Sequence, residues 1–172
     1  MILTGEEIKK KVENGLIEIS PFNKTNVGPN SYNLALQPVL KVYKNHELDS
    51  RVNNPFYEVE IPEDGLVLRP GTLYLGSTAE RTYSPEHVPM IEGRSSIARL
   101  GMLIHVSAGF GDIGYNGHWT LEITVVHPLR IYPGMKVCQV YFHQPVGEVV
   151  PYYGKYQNSV YPGTSEIWRE LN

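Results

Sequence analysis

The sequence predicts a mainly β domain of short strands with a single helix near its N-terminus. Three observations support this fold class: a helical apolar repeat confined to the first residues, short alternating apolar runs over the rest, and Pro-Gly pairs between those runs. With 172 residues, of which 41% are hydrophobic, the chain is long enough to bury one core. We therefore expect a barrel or sandwich of short strands, with residues 1–172 forming a single domain.

The N-terminal helix is predicted from its cap and its apolar spacing. Thr4 and Glu7 form a capping box, and Ile8 and Val12 follow at helical spacing. These features predict a helix over residues 4–14.

The runs beyond this helix have the two-residue period of strands. They begin at Tyr32, Leu66, Tyr74, Trp119 and Val137, and the Pro-Gly pairs that separate them begin at Pro70, Pro133 and Pro162. Residues 151–172 are polar and rich in turn residues, which is typical of a mobile tail.

Composition excludes several classes of function. A net charge of -3 provides no basic stripe for polymeric nucleic acid. The single cysteine, Cys138, cannot form an internal disulfide or supply a multi-cysteine zinc site, which favours a reducing compartment, the cytoplasm. No apolar stretch has the length of a membrane span, and the charged N-terminus lacks the apolar region of a signal peptide.

The first candidate motif runs from Gly93 to Gly101 and predicts a short helix at residues 95–100. Backbone N–H groups at its start, two serine hydroxyls and two guanidinium groups would together satisfy the oxygens of a triphosphate. The residues concerned are Arg94, Ser95, Ser96 and Arg99. A capped helix with solvated arginines is an equally simple interpretation, and the motif alone leaves both open.

The second motif places Asp112 at the centre of a glycine-rich segment, residues 109–117. Its four glycines permit close approach of a ligand to the backbone, and the carboxylate could accept a hydrogen bond from a sugar hydroxyl. Asp in such a hairpin is also an ordinary turn residue.

The third motif is the strand at residues 119–125. Its alternation puts Thr120, Glu122 and Thr124 on one polar face. Glu122 is an ordinary surface residue if that face meets solvent, and a usable general acid and base if it lines a closed cleft. His105 and the aromatic residues around Trp119 are expected to serve the core or an interface and not a metal, because no second histidine lies at ligand spacing.

Taken in order, these three motifs resemble the dCTP deaminase branch of the dUTPase superfamily. Weaker similarity covers residues 28–34 and 134–139, so that nearly the whole chain is included. The resemblance implies a dUTPase-like β-barrel or sandwich and a homotrimer with active sites between subunits. It also implies that magnesium is carried by the nucleotide's phosphates, with no protein metal ligand and no zinc.

The resemblance assigns roles residue by residue. Glu122 would take a proton from the water that attacks C4 of cytosine and deliver it to the departing amino group, while Arg99 and Ser95 orient the attack. The remaining substrate contacts would come from the following residues: Arg94, Ser96, Ile97 and Ala98 beside the phosphates, Asp112 at the deoxyribose, Thr120 and Leu121 at the ring, and Gln139, Tyr153, Lys155 and Gln157.

Two products occur among such enzymes, since some release dUTP whereas others also cleave it to dUMP and pyrophosphate. Gly109 and Phe110 resemble the bifunctional members, because a glycine there leaves room for a water near the α-phosphate. We therefore expect dUMP. Two departures stand out: Asn33 replaces the aspartate of the usual Ser-Tyr-Asp, and the glutamine downstream of Lys155-Tyr156 has no certain equivalent.

The alternatives are a deaminase that releases dUTP, a plain dUTPase, and a non-catalytic nucleotide sensor. A dUTPase would use Asp112 to orient a water and would have no need for Glu122. It would also carry a glycine-rich C-terminal motif, whereas residues 154–172 contain only Gly154 and Gly163. Because a dUMP-forming enzyme cleaves the dUTP that it makes, both dCTP and dUTP are expected substrates. The resemblance also implies inhibition by dTTP.

Overall fold

The structure is a computed structural model of the chain, and it describes residues 1–104 and 108–171. Within those residues it contains three α-helices, α1 (Gly5–Glu13), α2 (Ser95–Ala98) and α3 (Trp168–Leu171). The strands are β1 (Glu18–Ser20), β2 (Tyr32–Ala35), β3 (Val39–Tyr43), β4 (Phe56–Glu60), β5 (Leu66–Leu68), β6 (Tyr74–Tyr83), β7 (Val88–Gly93), β8 (Met102–Ile104), β9 (Asn116–Val125), β10 (Leu129–Ile131) and β11 (Lys136–His143). A 3-10 turn covers Lys24–Asn26.

Helix α1 confirms the predicted N-terminal helix. The Thr4 hydroxyl accepts a hydrogen bond from the backbone N–H of Glu7 at 3.3 Å, as expected of a cap. The helix stops at Asn14, and Gly15 follows with φ of +69°, a left-handed conformation that suits glycine. Ile8 is fully buried and fixes the helix to the sheets.

The largest sheet has six strands: five follow the order β4-β3-β6-β9-β8, and β1 pairs with the end of β6 on the edge opposite β9. All its pairings are antiparallel. Along β9, burial alternates strictly from Asn116 to Val125. Trp119, Leu121 and Ile123 therefore enter the core, while Thr120 and Glu122 lie on the opposite face, as the sequence predicts.

Two smaller sheets complete the fold. One has the order β2-β11-β7 and the other pairs β10 with β5. Their buried side chains join those of the large sheet in one core cluster. The predicted mainly β fold is confirmed, and in the described residues the sheets remain separate and do not close into a barrel.

A bulge interrupts the pairing of β6 with β9. Ser77 pairs with Thr120 and Arg81 with His118, so three residues of β6 face the single residue Trp119. The bulge turns the Glu80 side chain into the core, where it accepts a hydrogen bond from the backbone N–H of Ala35 at 2.8 Å. Burial raises the pKa of the Glu80 carboxyl.

No helix in the described part of the chain is long and apolar enough to cross a membrane.

Candidate active site

A cavity of about 430 Å³ lies between β9, the start of β6 and the C-terminal tail. Its walls bring together parts of the chain that are far apart in sequence, including Glu122, Thr120 and Asp112. The other lining residues are Tyr43, Leu73, Leu75, Ala108, Phe110, Gly111, Tyr115, Trp119, Tyr152, Tyr156, Ser159, Gly163, Thr164 and Ser165. Two of the three predicted motifs therefore meet at one site.

Glu122 and Thr120 line this cavity because of their place on β9. Glu122 pairs with Leu75 across the strands, and both side chains border the cavity. The Thr120 hydroxyl accepts a hydrogen bond from the backbone N–H of Gly163 at 2.8 Å. The polar face of β9 is thus covered by the tail, which favours a functional role for Glu122 over that of a solvated surface residue.

The glycine-rich hairpin brings Asp112 to the cavity edge through close backbone packing. A Cβ atom at Gly111 would lie 2.3 Å from the Trp119 ring and 2.8 Å from the Pro89 carbonyl oxygen. Gly114 has φ of +84°, which a side chain disfavours. Asp112 itself is exposed, so its carboxylate is accessible to a ligand.

Aromatic rings form a stiff wall beside these polar groups. The Tyr115 ring packs against Trp119 at 4.6 Å and against Tyr152 at 6.1 Å, measured between ring centroids. The Tyr115 hydroxyl donates to the carbonyl of His118 at 2.8 Å. Burial raises the pKa of Tyr115 to about 12, so its hydroxyl remains a hydrogen-bond donor at neutral pH.

The predicted phosphate-binding segment lies elsewhere on this chain. Helix α2 ends at Ala98, before the predicted end at residue 100. It begins after Arg94 without a side-chain cap, so the side-chain cap that the capped-helix interpretation requires is not formed. Ser95, Ser96, Ala98 and Arg99 are exposed, and neither they nor Arg94 lines the cavity.

The base of this segment is held by β11. The backbone N–H of Arg94 donates to the carbonyl of Val137 at 3.2 Å, and its guanidinium donates to the carbonyl of Lys136 at 3.0 Å. Gln139 accepts a hydrogen bond from the Ser31 hydroxyl at 2.7 Å and donates to the carbonyl of Gly93 at 3.5 Å. Gln139 therefore supports the segment and does not border the cavity.

The remaining predicted residues lie in different parts of the structure. Leu121 is fully buried and Ile97 is 7% exposed, so both side chains pack in the core. Tyr153 is 88% exposed and borders a second cavity, of about 600 Å³, next to Asp112. Lys155 forms an ion pair with Glu170 of α3. His105 lies outside the described residues.

Gln157 also makes its contacts within the protein. Its side chain bridges the backbone groups of Asn116 and Gly114 at the entrance to β9. It does not line the cavity.

The charged side chains among the described residues of the cavity wall are all acidic. Asp112 and Glu122 are its ionisable carboxylates, and the described lining residues include no lysine or arginine. The described residues also contain no group of three or more His, Cys, Asp or Glu side chains able to hold a metal ion. A triphosphate placed here would need cationic groups from another surface.

Sequence reasoning missed the aromatic and hydroxyl residues that close the cavity. Tyr43 lies on β3, whereas Tyr152, Tyr156 and Ser159 come from the tail. The high tyrosine content of residues 152–161 was the available signal, because a mobile polar tail has little use for aromatic side chains.

Comparison with known proteins defines the class of fold first. A solved 2'-deoxycytidine 5'-triphosphate deaminase from Agrobacterium tumefaciens superposes with a TM-score of 0.66 over 84% of this chain at 19% identity. This chain spans 48% of the length of that solved chain. The likeness shows a shared fold.

The family follows from sequence. The family model described as dCTP deaminase-like matches residues 2–145, and this chain belongs to that family. It is 53% identical over 160 residues to a protein of Clostridium beijerinckii, with 92% of each chain covered. It is 52% identical over 172 residues to one of Hathewaya histolytica, with 99% of each covered. Both relatives are named dCTP deaminase, dUMP-forming, and the predicted resemblance is confirmed.

Proposed function

We propose that this protein hydrolyses dCTP at C4, releasing ammonia, and cleaves the triphosphate to give dUMP and pyrophosphate. The observation that carries the proposal is the meeting of Glu122, Thr120 and Asp112 in one cavity beneath the tail. The names of the relatives, at about half identity over nearly the whole chain, support both the substrate and the product. They also agree with the expectation of dUMP from Gly109 and Phe110.

Glu122 is proposed as the proton shuttle of deamination. Its carboxylate accepts a proton from a water whose oxygen bonds to C4, and it then gives that proton to the amino group. The C4–N bond breaks and ammonia leaves, while the second proton of the water passes to N3 of the ring, so that a uracil with a C4 carbonyl remains. The cavity wall of Thr120 and the β9 backbone would hold the ring beside Glu122, and Asp112 would accept a hydrogen bond from the deoxyribose hydroxyl.

The triphosphate site is proposed to be completed by a second copy of the chain, in a homotrimer. The described lining of the cavity has no cationic side chain, whereas Arg94, Ser95, Ser96 and Arg99 form a segment away from it. Exposed apolar side chains near this segment, Leu100, Leu103 and Val126, would be covered by the association. Arg99 and Ser95 of one copy would then orient the attack at Glu122 of another.

Magnesium is proposed to be carried by the phosphates of the nucleotide, where it would neutralise charge on the departing pyrophosphate. The small side chain at Gly109 is proposed to leave space for the water that attacks the α-phosphate. Lys155 would reach the phosphates after leaving Glu170. The fully buried free thiol of Cys138 is compatible with the cytoplasm as the proposed location.

The test is a product assay with purified protein, dCTP and magnesium, in which ammonia, dUTP, dUMP and pyrophosphate are measured separately over time. We expect ammonia, dUMP and pyrophosphate in equal amounts. Ammonia with dUTP alone would retain the deaminase and reject the cleavage step. Absence of ammonia, with hydrolysis of added dUTP, would replace the proposal with a dUTPase.

A further inference from the structure

We propose that Gln157 is a positioning residue that fixes the tail segment, residues 152–159, against the entrance of β9, and that it does not contact the nucleotide. The proposal rests on the proposed function, because it assumes that the cavity beneath this segment binds dCTP. It assigns the amide of Gln157 to the protein itself, in contrast to the substrate contact that the sequence suggested.

The Gln157 amide is satisfied on both sides by backbone groups. Its oxygen accepts a hydrogen bond from the N–H of Asn116 at 2.8 Å. Its nitrogen donates to the carbonyl of Gly114 at 2.8 Å and to that of Tyr152 at 3.4 Å. An amide offers two donor protons and an acceptor, and here all of these face backbone partners. A ligand would have to displace them.

The backbone just after Gln157 pairs with β9. The N–H of Asn158 donates to the carbonyl of Asn116 at 2.7 Å, and the N–H of His118 donates to the carbonyl of Ser159 at 2.8 Å. At the other end of the segment, the N–H of Tyr152 donates to the carbonyl of Ile113 at 2.7 Å. Gln157 thus lies between two backbone contacts of the tail, one with the hairpin at Ile113 and one with β9.

The partner of Gln157 is itself held in place. Arg81 donates to the side-chain oxygen of Asn116, and the same guanidinium forms an ion pair with Glu18 of β1 at 2.5 Å. The tail packs closely on Gly117, because a Cβ atom there would lie 3.0 Å from the backbone nitrogen of Ser159. The strand therefore presents a fixed surface to which the Gln157 amide aligns the tail segment.

This alignment matters because the tail segment carries cavity walls at both of its ends. Tyr152 and Ser159 line the cavity, and they lie five residues before and two residues after Gln157. Loss of the amide would leave Glu122 and Thr120 on β9 unchanged but would loosen the opposite wall. We therefore expect weaker capture of dCTP with a smaller effect on the chemical step.

The experiment compares Gln157→Ala with the same substitution at the exposed Gln144, in the full chain. For Gln157→Ala we expect KM for dCTP to rise about tenfold and kcat to fall less than about threefold, as for the loss of a few hydrogen bonds. Amide hydrogen exchange at Asn158 and His118 is expected to accelerate without nucleotide. Gln144→Ala should change none of these quantities.

A second variant, Gln157→Glu, separates positioning from general damage to the fold. The introduced carboxylate can still accept from the N–H of Asn116 but cannot donate to the carbonyl of Gly114. Its KM should fall back towards the native value as pH is lowered, because a protonated carboxyl regains a donor. The native chain should lack this additional pH dependence of KM.

Three outcomes would overturn the proposal. Native KM and native exchange rates in Gln157→Ala would show that the amide positions nothing. A loss of dCTP binding with native exchange would make Gln157 a ligand contact. An exchange effect with an unchanged KM, and with kcat and kcat/KM reduced by the same factor, would indicate damage to the chemical step. Exchange in the absence of nucleotide tests the tail contacts even if the product assay rejects the proposed reaction.

Discussion

Strand β9 and the segment Arg94–Arg99 both carry residues assigned to dCTP, yet the fold supports them in different ways. Glu122 and Thr120 alternate with fully buried core residues, so the hydrophobic core fixes their direction. Both serines are exposed on α2, in which only Ile97 is buried, and Arg99 is exposed at the end of that helix. A rigid element can hold a catalytic group by itself, whereas an exposed segment gains its geometry on contact with another surface.

The largest expected effect is that of removing the charge of Glu122 on β9, the rigid element of this comparison. Glu122→Gln preserves the shape of the side chain and removes its proton-accepting charge, so kcat for ammonia release should fall by about 10³-fold. Binding of dCTP, measured by calorimetry, should stay within about threefold of the native Kd. Native ammonia release in this variant would remove Glu122 from the mechanism.

An experiment that mixes two variant subunits tests the exposed segment Arg94–Arg99. Arg99→Ala alone should lower kcat by at least about 10²-fold. Subunits with Arg99→Ala and subunits with Glu122→Gln, coexpressed, should together regain about a quarter of the native activity, because random pairing gives one intact combination in four. The mixture would stay inactive if both groups acted within one chain. Light scattering of the native protein supplies the control, with a trimer expected.

Glycine substitutions in the hairpin beside β9 and in the segment before α2 should differ in their effect on stability. Gly111→Ala would place a Cβ atom 2.3 Å from the Trp119 ring, and neither that ring nor the Pro89 backbone can move freely. We expect the free energy of unfolding to fall by about 1–3 kcal/mol, measured by denaturant titration. Gly93→Ala is the control, since a Cβ atom there meets nothing within 4 Å. Equal losses in both variants would show that the hairpin packing is not the constraint.

The elements that could be predicted from the sequence are those that residue periodicity and helix capping determine. The alternation along β9 and the cap of α1 depend on neighbouring residues only. The helix was predicted to within one residue at each end, and β9 begins three residues before the predicted strand. The bulge in β6 could not be predicted, because nothing local distinguishes Thr78-Ala79-Glu80 from a regular strand.

The candidate site was predictable only in part for the same reason. Glu122 and Asp112 carry chemistry in their residue types and stand in recognisable motifs. The opposite wall depends on where the tail lies, which is decided by long-range pairs such as Asn116 with Asn158 and Thr120 with Gly163. Contacts of that kind leave no periodic trace in the sequence.

Glu80 connects the two regions and carries the last prediction. Its backbone belongs to the bulge opposite Trp119 of β9. Burial raises the pKa of the Cys138 thiol, and the negative charge of Glu80 raises that pKa further, whereas the positive charge of Arg94 lowers it. Because burial raises the pKa of Glu80 above its ordinary 4.5, the folded state holds this proton more tightly than the unfolded state. Its contribution to stability is therefore present at low pH and is lost as pH rises through the folded pKa.

Glu80→Gln keeps the acceptor for the N–H of Ala35 and removes the ionisation. At about pH 7.5 we expect the variant to be more stable than the native chain by on the order of 1 kcal/mol, and this advantage should shrink towards about pH 4. The measurement is thermal unfolding across that pH range, with Glu47→Gln, an exposed residue, as the control. A variant that becomes less stable than the native chain as pH rises would mean that the ionised carboxylate stabilises the fold through Lys136. Because the carbonyl of Lys136 accepts a hydrogen bond from Arg94, the segment Arg94–Arg99 would then depend on a buried charge, and it would differ less from β9 in its attachment to the core.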